Sequence, residues 1–273
     1  MSRIVSVQDI SCVGQCSLTV ALPILSAKGI ECSILPSGIL STHTGGFSGF
    51  SFLDLTDEMT KIIEHWEKEK LTFDAIYTGY IGDVRQFDII RDLRKLLNPG
   101  GKLYVDPAMA DQGKLYLALS EDIVDGMRGI IAEADMIMPN LTEACFLIGR
   151  EYKEEFSKSE IRDLIESLSK LGPSTVILTG VSYEEGKIGA VAFDRTTNEW
   201  TEYFADKVTQ SYPGTGDIFS SILVADLING LSLYDTLKDA CEFIVKSIKN
   251  TLDDPNHPYG VKFEKTLAMD RTI

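Results

Sequence analysis

Short apolar runs alternate with amphipathic helical patterns along most of the chain, and this alternation restricts the possible folds more than any other feature. Six runs are short, apolar and followed by a turn residue, as buried strands are: RIVSVQ, IECSILP, DAIYTG, KLYVD, DMIMP and TVILTG. Apolar residues recur at helical spacing between some of these runs, over residues 57–70, 84–97 and 159–171. Strands that alternate with helices predict βαβ units and therefore a parallel sheet.

The pattern changes after the sixth run. The segments KIGAVAFD and NEWTEYFAD each alternate apolar and polar residues and are joined by RTT, which predicts a hairpin. We therefore expect an α/β fold, a mostly parallel sheet with an antiparallel edge, in one domain over residues 1–273. In such sheets ligands bind beyond the carboxyl ends of the strands, so the residues just after each strand are the candidate site.

Charge, apolar runs and cysteine content indicate which partners and which cellular compartment to expect. The net charge of −15 argues against nucleic acid or an anionic membrane, because phosphate binding there needs a surplus of Lys and Arg. No apolar run approaches the roughly 20 residues of a membrane span, and the first residues lack the apolar core of a signal peptide. Five unclustered cysteines predict reduced thiols in a cytoplasmic protein.

The stretch PGTGDIFSSILVADLI predicts a buried helix that begins in a glycine-rich turn. Gly214 and Gly216 carry no side chain, so an anion can reach the free N–H groups of the helix start, and Thr215 can add a hydroxyl. Asp217 is then placed to accept a proton from an attacking alcohol during phosphoryl transfer. We expect low basicity there, because a helix N-terminus favours the ionised carboxylate. A purely structural helix entry is the alternative.

Polar residues also follow three of the predicted strands. Asp106 and Asp111 flank a turn and either hold a cation together or form an Asp-Pro turn with a solvated second acid. Asn140 and Glu143 either cap a helix or point into a cleft and hold hydrated Mg²⁺. Thr179 either donates to a phosphate or caps its turn.

Two further segments carry candidate contacts for a substrate. STHTGGFSGF is polar and glycine-rich, and is either a flexible loop or a substrate lid in which His43 and Thr44 make polar contacts. Tyr80, at the end of YTGY, either stacks on a planar ligand or packs in the interior.

Taken together and in this order, these residues resemble the ribokinase-like superfamily over nearly the whole chain. PGTGD resembles its anion hole and base, PNLTEA its Asn-x-x-Glu motif, and VDPAMAD the Asp-Pro stretch of its vitamin kinases. The N-terminal SVQ, followed by THTG and YTGY, narrows the resemblance to the pyridoxal/pyridoxamine kinases. The resemblance implies a three-layer αβα fold with helices on both faces of the sheet, and a homodimer.

The resemblance also implies a role for each candidate. Asp217 looks like the base that takes the proton of the substrate's 5′-hydroxymethyl group, and Gly214, Thr215 and Gly216 look like the hole for the transferring phosphate. The remaining residues resemble ligands of ATP and its cations, namely Asp111 and Glu143 for Mg²⁺ through waters, Asp106 and Thr179 near a monovalent cation such as K⁺, and Asn140 beside the phosphates. Thr179 and Thr215 join Asn140 and Glu143 in contacting ATP.

Asp9, Thr44 and Tyr80 match the vitamin pocket of the family, with His43 beside them. Many members carry Ser-His where this chain has Asp9 and Ile10, so the ring contact changes from a hydroxyl to a carboxylate. A carboxylate favours a protonated pyridine or an amine-bearing substrate. The expected activity is therefore phosphorylation of pyridoxal, pyridoxamine or pyridoxine with MgATP. The alternatives are a hydroxymethylpyrimidine kinase, a sugar kinase, or a vitamin-binding protein without catalysis.

Overall fold

A sheet of nine strands runs through the centre of the molecule in the computed structural model, which describes residues 1–117 and 119–269. The strands are β1 (Arg3–Ser11), β2 (Glu31–Leu40), β3 (Phe52–Asp54), β4 (Phe73–Thr78), β5 (Leu97–Val105), β6 (Ala110–Asp111), β7 (Lys114–Leu115), β8 (Met136–Ile137), β9 (Thr175–Val181), β10 (Lys187–Asp194) and β11 (Glu199–Asp206). The order across the sheet is β11-β10-β9-β8-β5-β4-β1-β2-β3, while β6 and β7 form a separate small hairpin.

The central strands pair in parallel and both edges are antiparallel. Strands β8, β5, β4, β1 and β2 follow β9 across the sheet in parallel pairs. The predicted hairpin forms the antiparallel edge β9-β10-β11, with Asp194 opposite Glu199 beside the turn. The opposite edge was not predicted: β3 is three residues long and pairs antiparallel with the end of β2.

Helices cover both faces of the sheet and complete the predicted three layers. They are α1 (Leu18–Ala27), α2 (Thr56–Lys68), α3 (Arg85–Leu93), α4 (Asp122–Ile131), α5 (Leu141–Ile148), α6 (Lys158–Ser169), α7 (Thr215–Ile228), α8 (Leu233–Lys249) and α9 (Phe263–Met269), with a 3₁₀ turn over Arg94–Leu96. The predicted helices at 57–70, 84–97 and 159–171 correspond to α2, α3 with its 3₁₀ turn, and α6. No helix among the described residues is long and apolar enough to cross a membrane.

Neighbouring residues of each central strand belong to different cores, because successive side chains point to opposite faces. In β1, Val5 packs with α2 to α6 on one face, whereas Ile4 packs with α1, α7 and α8 on the other. In β9, Leu178 likewise belongs to the first of these cores and Ile177 to the second. Both faces are therefore buried, which explains why the strands are continuous apolar runs.

Candidate active site

A cavity of about 730 Å³ lies at the carboxyl ends of the central strands. Its walls include every residue that the sequence predicts for a site: Asp9, His43, Thr44, Tyr80, Asp106, Asp111, Asn140, Glu143, Thr179, Gly214, Thr215, Gly216 and Asp217. These residues are far apart in the chain, and the parallel topology brings them to one edge of the sheet. Their functional roles remain predictions, whereas their convergence is a property of the fold.

The two glycines at the start of α7 have different roles. Gly214 is the N-cap residue of α7 with φ of 81°, and a Cβ there would lie 1.7 Å from the carbonyl oxygen of Gln15. Gly216 has nothing within 4 Å of the position of a Cβ, so that position is open space. Gly214 thus lets the turn pack on the N-terminal loop, while Gly216 keeps the start of α7 accessible to an anion.

Asp217 lies in the first turn of α7, half-buried at the wall of the cavity. Burial is the main cause that raises its pKa to about 8, the neighbouring carboxylate of Asp106 adds to the rise and Asp9 adds less. The main-chain N–H of Ser17 acts in the opposite direction. The expectation of low basicity is therefore wrong for the unliganded protein, because burial and like charge outweigh the helix N-terminus.

The raised pKa predicts how the Asp217 carboxyl titrates in the unliganded protein. The pKa of the Asp217 carboxyl is about 8. The ionised form, which can accept a proton, therefore predominates at a pH above this value and is lost as the pH falls below it. Asp106→Asn removes the second cause of the rise, so we expect a lower midpoint. Carboxyl ¹³C NMR, with Asp217→Asn to assign the signal, measures both values. A wild-type midpoint near about 4, the ordinary value for aspartate, would contradict this electrostatic picture.

Asn140 and Glu143 anchor the β6–β7 hairpin to α5. Asn140 Oδ1 accepts from the N–H of Glu143 at 2.9 Å, and Glu143 Oε2 accepts from the N–H of Asn140 at 2.8 Å, which completes the capping box. Glu143 Oε1 also accepts from the N–H of Met109 at 3.2 Å, and Asn140 Nδ2 donates to the carbonyl of Ala110 at 2.8 Å. The motif therefore has the predicted capping role, and its side chains still line the cavity.

Asp106 and Glu143 are two buried carboxylates on the wall of one cavity. Ser220 Oγ donates to Asp106 at 2.6 Å, yet burial raises the pKa of Asp106 to about 6. Burial and the charge of Asp106 hold the pKa of Glu143 well above its usual range. A cation bound near these two carboxylates would favour the ionised form of both.

The predicted metal residues do not form a direct cage. Within residues 1–117 and 119–269, no three His, Cys, Asp or Glu side chains come together as a preformed metal site. Asp111 is exposed on the β6–β7 hairpin, where one carboxylate oxygen accepts from the N–H of Gln112 at 2.8 Å. Asp106, Asp111 and Glu143 therefore fit an ion that keeps its waters better than one held by protein ligands alone.

Thr179 connects the end of β9 to the start of α5. Its N–H donates to the carbonyl of Pro139 at 2.9 Å, and its hydroxyl reaches the same oxygen at 3.4 Å. The long hydroxyl contact is weak, so the hydroxyl can turn to another acceptor in the cavity. The structure is compatible with both predicted roles of this residue.

Asp9, near the end of β1, is buried at the wall of the cavity and is only 4% exposed. Its carboxylate accepts from Ser17 Oγ at 2.5 Å and from Ser11 Oγ at 2.9 Å, and burial raises its pKa. Burial, followed by the charge of Asp9, raises the pKa of Tyr80 to about 12. Among the described residues, the side chains that hydrogen-bond Asp9 thus provide hydroxyls, and the tyrosine beside it keeps its proton.

His43 differs from its prediction as a polar contact for a substrate. Its Nε2 donates to the carbonyl of Tyr259 at 2.9 Å, and its Nδ1 accepts from the N–H of Gly45 at 3.1 Å. Both ring nitrogens are therefore occupied by the main chain. The ring lines the cavity beside Thr44, so it shapes the wall without a free nitrogen for a ligand.

Tyr116 and Ser17 are among the residues of the cavity wall that were not predicted from the sequence. Tyr116 follows the β6–β7 hairpin, and burial followed by the charge of Glu143 raises the pKa of its phenol, with Asp217 contributing further. Ser17 has φ of 54°, which is unusual for a residue with a side chain, and its hydroxyl binds Asp9 instead of capping α1. Neither residue lies in a recognisable motif, so only the fold reveals them.

Several known proteins are similar to this chain in sequence and in fold. A family model described as phosphomethylpyrimidine kinase matches residues 50–260. A Bacteroides thetaiotaomicron protein described as a phosphomethylpyrimidine kinase and crystallised with pyridoxal is 40% identical, with a TM-score of 0.94 over 98% of this chain and 95% of that chain. The crystal structure of pyridoxal kinase from Lactobacillus plantarum is 28% identical, with a TM-score of 0.90 over 98% and 96% of the two chains. Pyridoxal kinase of Arabidopsis thaliana is 29% identical over 92% of this chain and 83% of its own length.

Proposed function

Because the chain belongs to the phosphomethylpyrimidine kinase family, we propose that it is a kinase that transfers a phosphoryl group from ATP to the 5′-hydroxymethyl group of pyridoxal, pyridoxamine or pyridoxine. The observation that carries this proposal is the position of Asp217 beside the open start of α7 in the cavity. The pyridoxal bound to the 40% identical relative supports the choice of a pyridine substrate. We further propose that residues 1–273 act as one domain.

The proposed reaction is an in-line displacement at phosphorus. The hydroxymethyl oxygen forms a bond to the γ-phosphorus of ATP, the bond from that phosphorus to the bridging oxygen breaks, and ADP leaves. Asp217 accepts the hydroxyl proton, while Gly214, Thr215 and Gly216 present main-chain N–H groups to the migrating phosphoryl oxygens. The orientation of the alcohol matters as much as the basicity of Asp217, because the proton leaves late in a loose transition state.

Cations would occupy the acidic side of the cavity. Asp111 and Glu143 would hold Mg²⁺ through water, with Asn140 beside the phosphates, and Asp106 and Thr179 would lie near K⁺. Bound there, the ions neutralise the negative charge of the triphosphate as it enters a site that is itself rich in carboxylates. The opposed ionisation of Asp106 and Glu143 supports this assignment.

We assign the adenine of ATP to the apolar end of the cavity. The wall there is made by Ile188 of β10, Val208 in the loop after β11, and Ile244, Val245 and Ile248 of α8. A flat heteroaromatic base gains most from burial against apolar side chains of this kind. The start of α7 follows this loop in the chain, so base and phosphates occupy successive parts of one cavity.

Asp9 is proposed to bind the pyridine nitrogen in its protonated form. The side-chain hydrogen-bond partners of the buried Asp9 carboxylate are two hydroxyls, and a pyridinium N–H would add a charged donor. We expect Asp9→Asn to raise the KM for pyridoxal about tenfold and to leave the KM for MgATP unchanged, since the lost bond is charge-assisted. Steady-state kinetics with each substrate varied in turn tests this, and an equal rise in both KM values would contradict it.

The matching family is described as phosphomethylpyrimidine kinase, which favours a substituted pyrimidine, such as hydroxymethylpyrimidine, as the alternative class of substrate. Steady-state rates of ADP formation with pyridoxal, pyridoxamine, pyridoxine and hydroxymethylpyrimidine distinguish the two classes of substrate. Our proposal predicts a higher kcat/KM for at least one of the three pyridines. Turnover on the pyrimidine alone would replace the proposed substrate and leave the phosphotransfer chemistry in place.

A homodimer in the cytoplasm completes the proposal. The edge strand β3 exposes 46% of Phe52 and 58% of Leu53, and an exposed apolar edge of this kind suits burial against a second copy. Light scattering on the purified protein gives the mass directly, and a monomer would exclude the dimer. All five cysteines are free thiols, which suits a reducing compartment.

A further inference from the structure

A turn near the C-terminal end of the described chain contacts two loops of the cavity through a single main-chain oxygen. The carbonyl of Tyr259 accepts from His43 Nε2 at 2.9 Å and from the N–H of Gln15 at 3.2 Å. His43 belongs to the glycine-rich loop of residues 41–50, and Gln15 belongs to the loop of residues 12–17 that leads into α1. Residues 257–260, which we call the C-terminal clamp, thus join segments that are more than two hundred residues away in sequence.

The base of the clamp is firmly attached to the body of the molecule. Thr251 is fully buried, and its hydroxyl accepts from the N–H of Lys262 at 2.8 Å while it donates to the carbonyl of Ser247 at 2.7 Å. Lys262 also forms an ion pair with Asp254 at 2.5 Å. The carbonyl of Tyr259 is therefore held by the body of the molecule and can hold the two loops in place.

The tip of the clamp has a defined conformation. His257 Nδ1 donates to the carbonyl of Gly260 at 3.0 Å, and the rings of His257 and Tyr259 lie 4.2 Å apart. Gly260 has φ of 145°, and a Cβ there would lie 2.7 Å from the side chain of Gln15. A glycine is needed at this position both for its backbone conformation and for close contact with the 12–17 loop.

His43 connects the carbonyl of Tyr259 to the 41–50 loop. Its N–H donates to the carbonyl of Val13 at 3.2 Å, its Nδ1 holds the N–H of Gly45, and its ring meets that of Phe47 edge-on at 5.1 Å. A Cβ at Gly14 would lie 1.9 Å from the His43 ring, so the two loops are packed directly against each other. Thr44, next in the chain, is thereby fixed at the cavity wall.

Gln15 links the Tyr259 carbonyl to the turn that contains Gly214, which we call the phosphate turn (residues 213–217). Its carbonyl oxygen occupies the place that a side chain at residue 214 would take. One branch of the contacts therefore leads from Tyr259 through His43 to the substrate loop. The other leads from Tyr259 through Gln15 to the start of α7.

We propose that the C-terminal clamp is a positioning element of the kinase site, and that His43 is a positioning residue which holds the substrate loop for the vitamin ring. This deepens the proposed function and rests on it for the identity of the ring. His43→Leu should raise the KM for pyridoxal about tenfold with little change in the KM for MgATP, because it removes the loop anchors and leaves the Gln15 branch intact. His43→Gln, whose amide can still donate to Tyr259, should restore most of the loss.

Gly260→Ala should have a different signature because it disturbs both branches. We expect a higher KM for pyridoxal together with a lower kcat. Gly230→Ala is the matched control, since Gly230 also has a positive φ, 85°, but has nothing within 4 Å of a Cβ position. Kinetic constants near wild type in the control would assign the effect of Gly260→Ala to the clamp.

Hydrogen–deuterium exchange on the unliganded proteins separates the clamp from the reaction. In His43→Leu and Gly260→Ala, residues 41–50 should exchange faster than in wild type, and residues 175–181 should not change. Unchanged exchange at 41–50 in both variants would overturn the clamp whatever the kinetics. Wild-type protein without kinase activity, but with the expected exchange pattern, would refute the proposed function and retain the clamp.

Discussion

Replacing Asp217 by asparagine is expected to lower the kcat for pyridoxal phosphorylation by at least about 10²-fold, the contribution typical of a positioned general base. Asparagine has nearly the same shape, so the cavity and the start of α7 should be preserved. Binding of pyridoxal and MgATP should therefore remain close to wild type. Single-turnover kinetics together with equilibrium binding of each ligand separate the loss of chemistry from a loss of affinity.

Asp235→Asn is the matched control for this substitution. Asp235 is also an aspartate in the first turn of a helix, α8, but it is exposed and lies outside the cavity. A similar loss of turnover in both variants would mean that the effect is not specific to the base. Turnover near wild type for Asp217→Asn would remove Asp217 from the proposed mechanism.

Replacing each glycine of the phosphate turn by alanine is expected to affect a different property: Gly214→Ala should lower stability, and Gly216→Ala should lower activity. Gly214→Ala forces a side chain into the carbonyl oxygen of Gln15 at a positive φ, so we expect a loss of at least about 2 kcal/mol in the free energy of unfolding. Gly216→Ala meets nothing and should unfold like wild type. Its methyl group should instead obstruct the phosphoryl group and lower kcat/KM for MgATP. Chemical denaturation and steady-state kinetics on both variants measure the two effects.

Gly230→Ala measures the loss of stability caused by a positive φ alone, since no atom lies within 4 Å of its Cβ position. The stability lost in Gly214→Ala beyond that control measures the contact with Gln15. If Gly216→Ala had the full activity of wild type, the open start of α7 would not be where the phosphoryl group binds.

The alternation of strands and helices was sufficient to predict the parallel sheet, and the hairpin pattern predicted one antiparallel edge. The two helical layers were implied by the family resemblance. The central strands are buried on both faces, so their apolar runs are continuous and easily recognised. The convergence of several candidate residues could be predicted because they follow parallel strands, and the fold places the carboxyl ends of those strands together. Asp106 after β5 and Asn140 after β8 are examples.

Features that depend on contacts between distant residues could not be predicted. The helix α1 was missed because it is apolar around most of its surface and contains Pro23, so it lacks an amphipathic period. The pKa of Asp217 is set by burial and by Asp106, a residue more than a hundred positions away. The engagement of His43 depends on Tyr259, whose carbonyl carries no sequence signal.

Phosphoryl transfer itself is tested most directly by incubating the purified protein with pyridoxal and MgATP and measuring ADP and phosphorylated vitamin together. Our account predicts that the two products appear in equal amounts in wild type and that both fall in parallel in Asp217→Asn. Binding of pyridoxal without formation of ADP or phosphorylated vitamin would contradict the account, and would identify a vitamin-binding protein built on the fold of a kinase.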